Sequence, residues 1–137
     1  MKKTLLLILV ILGLGGITMT TSAQQSLPEE WDVPQEYKTL KNPFDMDNEV
    51  LSNGKMLYNM HCRLCHGKKG LGDGPGGRDL ETKVPDLNSE AIQSQSEGVL
   101  FYKIAIGRKD MPEYKNKIPE DEDRWNLVSY LKETFGN

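Results

Sequence analysis

Cysteine and histidine are scarce in this chain of 137 residues, with two of each, and the aromatic share is only 7%. Two cysteines exclude a disulfide-dense secreted scaffold. There is also no excess of positive charge. Seventeen Lys and Arg stand against twenty Asp and Glu, a net −3, so the cationic footprint that displaces phosphate counterions is missing and nucleic acid is excluded as a partner. No segment alternates apolar and polar residues as a strand would, so the expected fold class is all-α. Finally, the one apolar run, Thr4 to Met19, is roughly 15 residues and falls short of the ~20 that span a membrane.

That run follows Met1-Lys2-Lys3 and ends in the small residues Thr21-Ser22-Ala23, the layout of a secretory signal peptide. Cleavage after Ala23 leaves 114 residues and, with two lysines removed, a net charge of −5. The expectation is an exported protein, in the periplasm or on the outer face of the membrane. It would touch the membrane only peripherally, or through the N-terminal segment if that stays uncleaved. Residues 24–46 hold Pro28, Pro34 and Pro43 without periodicity and read as an extended arm or linker, whose Trp31, Tyr37 and Phe44 need a surface to pack on. Residues 47–137 form the single domain.

Asp47 or Asn48 can cap a first helix, in which Val50, Leu51, Gly54, Leu57 and Tyr58 share one face. A glycine on that apolar face costs the helix about 1 kcal/mol relative to alanine and points to the close passage of another backbone. Six glycines between Gly67 and Gly77 make a loop. They lack the Gly-Lys-Ser/Thr ending of a phosphate cradle. A second helix is expected from the capping box Ser94-Gln95-Ser96-Glu97 through Leu100, Phe101 and Ile104 to Gly107, with a short turn before it over 89–94. The last helix starts near Pro119, carries Glu120 to Asp123 in its first turn, presents Leu127, Val128, Leu131 and Phe135, and stops at Gly136. Three to four helices with long loops are therefore expected.

The two cysteines lie in Cys62-Arg63-Leu64-Cys65-His66. A disulfide across two intervening residues would stabilise little, whereas this spacing is that of c-type haem attachment. Thiols one helical turn apart can each add to a vinyl group on one porphyrin edge, which places His66 beneath the iron as an axial ligand. One covalent haem c per chain is the cofactor expected. A thioredoxin-like dithiol wants a βαβ context. A zinc site draws its ligands from two separated pairs, not from His61, Cys62, Cys65 and His66 within six residues.

A sixth ligand is sought among the remaining candidates. His61, Met56 and Met60 sit on the proximal side, next to the attachment motif or on the helix leading into it. Met46 reaches the iron only if the arm folds over the distal face. Met111 lies 45 residues beyond His66, in Gly107-Arg108-Lys109-Asp110-Met111-Pro112, where Pro112 stiffens the backbone. A thioether there raises the reduction potential and closes the iron to small ligands.

These residues resemble the class I c-type cytochromes over roughly 48–135. Gly54, Tyr58, Cys62, Cys65 and His66 match that family's first helix and haem motif. Pro85-Asp86-Leu87 is similar to the loop whose proline carbonyl accepts the proximal imidazole N–H, and Met111-Pro112 is similar to its distal loop. Arg124, Leu127, Tyr130 and Leu131 match its last helix, which crosses the first at the glycine. The loop after His66 is longer and richer in glycine than in the mitochondrial type and resembles bacterial domains. The resemblance implies an electron carrier rather than an enzyme, with iron held by His66 and Met111, and Tyr58 and Pro85 supporting them. Its partners would be redox proteins: a quinol-oxidising membrane complex, a terminal oxidase or a periplasmic reductase. The other class of function is a small haem enzyme or ligand sensor, which needs a displaceable distal ligand. Lys103, Arg108, Lys109, Lys115 and Lys117 outnumber Asp110 and Glu113, so a positive rim around the distal haem edge is also expected, a candidate surface for an acidic partner.

Overall fold

The computed structural model of the chain describes residues 31–136. The signal segment read at 1–23 and the start of the arm lie outside the described residues. Helix α2, Asn48–His61, begins where the Asp47 carboxylate accepts the backbone N–H groups of Glu49 and Val50 at 2.8 and 2.9 Å, which satisfies two of the orphan donors at a helix start. Its apolar face carries Leu57 and Tyr58, both buried, against α6, Asp121–Phe135. The two helices cross at Gly54. A Cβ on that residue would run into the Asn126 carbonyl oxygen and come within 2.6 Å of the Tyr130 Cβ. Leu127 and Val128, at 0% exposure, form the centre of the core.

Helix α5, Glu97–Ile106, closes the third side with Leu100, Phe101 and Ile104. Phe101 stacks on Trp125 of α6, ring centroids 4.2 Å apart, and the Arg124 guanidinium lies over the Phe101 ring. Arg124 also donates to the Ile118 carbonyl and pairs with Asp121. The cap of α5 is Ser96, whose hydroxyl accepts the Val99 N–H, rather than Ser94. Ser94 instead ends the short helix α4, Glu90–Gln93. Glu120 is the N-cap of α6, so that helix starts two residues later than Pro119.

Two further short helices bring the total to six among the described residues: α1, Gln35–Thr39, and α3, Arg63–His66. The only β pairing among these residues is an isolated bridge between Arg108 and Met111. In its described part the arm is fastened down. Tyr37 of α1 meets Tyr102 with centroids 4.8 Å apart, Val33 is buried, and the Asn42 amide donates to the Ser129 hydroxyl at 2.9 Å. Among the described residues no helix is long and apolar enough to cross a membrane.

Candidate functional site

Cys62 caps the C-terminal end of α2 and the N-terminal end of α3, so its backbone joins the two helices: its N–H bonds to the Tyr58 carbonyl at 2.9 Å, while its carbonyl accepts from Cys65 and His66 at 3.1 and 2.9 Å. One turn thus carries both thiols and the imidazole. The carbonyls at the end of this turn are satisfied by the glycine-rich loop and by α2. Gly72 N–H donates to the His66 carbonyl at 2.9 Å, Gly74 N–H to that of Cys65 at 3.1 Å, and the Tyr58 hydroxyl to that of Gly67 at 2.7 Å. A Cβ on Gly74 would fall on the carbonyls of Leu64 and Cys65. The glycine density in this loop reflects backbone lying directly on backbone.

The turn opens on a cleft whose empty volume, counting its open mouth, is about 650 Å³. Tyr58, Cys62 and His66 line it, with Pro85 and Leu87 beside them and Leu100, Ile104, Leu127 and Leu131 supplied by α5 and α6. Met111 lines the same cleft. Its loop is held by a reciprocal pair of hydrogen bonds, Arg108 N–H to the Met111 carbonyl at 2.8 Å and Met111 N–H to the Arg108 carbonyl at 2.9 Å. Gly107, at φ 63°, turns the chain into that loop, and a Cβ there would strike the backbone of Met111 and Pro112. The other candidate methionines face elsewhere: Met46, Met56 and Met60 are 50–66% exposed and do not line the cleft. His61 packs its ring against Tyr114 instead, 5.8 Å between centroids.

Burial governs the protonation of this site. It lowers the basicity of His66, and the Pro85 carbonyl partly offsets that. The imidazole Nδ1 is nonetheless buried without a partner at full hydrogen-bonding geometry, so the carbonyl acts on it as a nearby dipole. The Cys62 thiol is pushed up to about 12, by burial first and then by Cys65. Burial also raises the Tyr58 phenol, and it pushes Tyr114 up to about 12 with a smaller contribution from the two cysteines. Imidazole, thiol and phenols are therefore neutral together near pH 7.

Trp31, Ile92, Gln95 and Lys103 also line the cleft, and of these the sequence brings only Lys103 near the site, as part of the positive rim. Lys103 carries a visible signal: it lies three residues beyond Leu100 and one before Ile104, on the same helical face. The expected positive rim is correspondingly broken up. Lys103 is half-buried, Lys103 and Arg108 both lie over the Trp31 ring, Lys117 lies over Tyr114, and Lys115 pairs with Glu113 at 3.7 Å.

Residues 49–131 match the family described as cytochrome c oxidase, cbb3-type, subunit III. Among curated proteins, no relative matches. A solved structure from Kuenenia stuttgartiensis, the reducing HAO-like protein complex, is similar at a TM-score of 0.61 and 24% identity, over 67% of this chain and 46% of that one. At that identity the likeness concerns the fold, and the chain spans about half the length of that neighbour.

Proposed function

Because this chain belongs to the family described as cytochrome c oxidase, cbb3-type, subunit III, a c-type cytochrome domain, we propose that it is a monohaem electron carrier whose haem c is bonded to Cys62 and Cys65 and ligated by His66 and Met111. The residues fit such a group. Two thiols, an imidazole and a thioether converge on one apolar cleft and the turn that opens on it, a donor set suited to iron in a c-type site, and His66 carries a buried Nδ1 without a full hydrogen-bond partner. The observation that carries the reading is that Met111, 45 residues from His66 in the chain, lines the cleft that His66 lines.

The haem supplies reversible one-electron exchange between ferrous and ferric iron. The chain's residues keep that exchange clean. Tyr58, through its bond to the Gly67 carbonyl, fixes the end of the attachment turn, and Pro85 sets the dipole behind His66. Leu100, Ile104, Leu127 and Leu131 keep water from the cleft wall. The reciprocal Arg108–Met111 backbone bonds hold the loop that carries the thioether, so Met111 would keep its place in both oxidation states and leave no open position of the kind an enzyme needs. On this reading the protein acts outside the cytoplasm as a carrier, peripheral to the membrane or tethered by its N-terminal segment. It hands electrons between a quinol-oxidising complex and a terminal oxidase or periplasmic reductase.

The test is spectroscopic. Alkaline pyridine should show one covalently held haem per chain, and the ferrous native protein should not bind carbon monoxide. Met111→Ala should keep the haem, bind the gas and have a lower reduction potential, since the ligand that favours ferrous iron is gone. Ready gas binding by the native protein would overturn the carrier reading in favour of a haem enzyme or ligand sensor.

A further inference from the structure

Apart from the turn that carries Cys62 and His66 and the Tyr58 ring beside it, the cleft wall is apolar except at one corner, where Gln95 and Lys103 line it. Lys103 projects from α5 on the face that also carries Leu100 and Ile104, and all three line the cleft. Its ammonium donates to the Gln95 side-chain oxygen at 2.7 Å and lies 5.2 Å from the centroid of the Trp31 ring. A second cation, Arg108, lies over the same ring, also at 5.2 Å. Among the described residues no Asp or Glu lines the cleft, and no carboxylate pairs with Lys103.

A half-buried ammonium is costly unless an anion offsets the water it has lost. An amide oxygen and an aromatic face supply only partial negative charge. Burial, and then Arg108, accordingly lower the basicity of Lys103. The simple alternative is a lysine whose stem covers apolar surface while its head reaches for solvent. That alternative does not account for the amide held at 2.7 Å or for the indole beneath the ammonium.

We infer that Lys103, oriented by Gln95 and Trp31, is the binding site for a carboxylate of the cofactor, so that an ammonium–carboxylate pair closes this corner of the cleft. The inference rests on the haem reading above and deepens it. Haem presents its carboxylates at one edge, and the vinyl edge is engaged by Cys62 and Cys65. The Lys103 corner then selects which way round the group sits. It also offsets a negative charge close to the iron, and an offset of that kind favours the reduced state. Removing Lys103 should leave the carboxylate uncompensated and favour the ferric form.

The experiment compares midpoint potentials of the haem-bearing native protein, Lys103→Met, Lys103→Gln and Lys103→Arg, with Lys117→Met as a control that removes a cation lying over Tyr114 outside the cleft. Lys103→Met and Lys103→Gln should shift the reduction equilibrium toward the oxidised form by about threefold or more, the order expected for one charge at a partly buried site. Lys103→Arg should restore most of the native value and Lys117→Met should leave it unchanged. Should Lys103→Met not fold, Lys103→Gln, which keeps much of the reach and polarity of the side chain, carries the same test. Native potentials in the neutral variants would overturn the inference, as would a shift equally large in Lys103→Arg or Lys117→Met. These results are distinct from a failure of the haem reading, which would appear as native protein without covalent haem.

Discussion

Gly54→Ala is the substitution for which intrinsic helix preference and packing make opposite forecasts. In an isolated helix the change is favourable by about 1 kcal/mol, because alanine loses less backbone freedom. Here the new methyl group would be driven into the Asn126 carbonyl oxygen and would lie 2.6 Å from the Tyr130 Cβ. Two of the three nearest atoms are backbone and the third is a Cβ, so no rotamer change can relieve the clash. Helices α2 and α6 must move apart, and overpacking of this kind costs about 1–3 kcal/mol. With rigid neighbours the upper end applies. The net loss is then about 2 kcal/mol, which for a domain of this size lowers Tm by roughly 8–16 °C. Thermal unfolding of the haem-bearing protein, followed by far-ultraviolet circular dichroism, measures it directly. A Gly54→Ala protein that melts at or above the native temperature would show that helix preference prevails and that the crossing is not tight, and the account of the core would fail.

Two further outcomes test the site. Gly107→Ala places a side chain at φ 63° against the backbone of Met111 and Pro112, so it should displace the distal loop and let the ferrous protein bind carbon monoxide in part, without loss of the haem; gas binding no greater than native would show that the loop tolerates the shift. The second concerns alkali. Tyr114 is pushed up from 10.0 to about 12 in the fold, chiefly by burial, so the neutral phenol is favoured by folding. The sign is that of a raised folded value: the contribution to stability is complete below pH 10 and is lost as pH rises toward 12. Tyr114→Phe removes the 2.8 Å bond to the His61 carbonyl, costing about 1 kcal/mol at pH 7, and should flatten the alkaline fall in denaturant midpoint. An unchanged alkaline slope in the variant would assign that fall to other groups.

What can be read from the sequence is local. The Asp47 cap, the Gly54 crossing and the Cys62-Cys65-His66 turn depend on residue types a few positions apart, and each stands where the spacing places it. The two serines before α5 are harder to separate, because Ser94 and Ser96 offer the same chemistry. Their order is decided by α4, a single turn whose last residue is tied to a partner 38 residues away, through the Gln93 amide and the Leu131 carbonyl. Helix α1 is hidden for a similar reason. Five residues after Pro34 have too little intrinsic helical stability to be predicted, and the contact with Tyr102 that holds them is invisible in the local sequence. Lys103 counts in the sequence as one positive charge of a surface run, although its helical phase puts it on the cleft.

The crossing of α2 and α6 joins nearly the first element of the domain to its last. A chain made from the N-terminus therefore presents Cys62, Cys65 and His66 well before the residues that will wall them in. Until Leu127 and Leu131 are joined to the chain, the Cys62–His66 turn lacks two of the apolar side chains that line its cleft. Met111 lies between the turn and that wall in the chain, so the side of the cleft supplied by α6 is the last part of it to be made. The contact between α2 and α6 is therefore of long range in the sequence, the kind whose loop-closure cost slows folding.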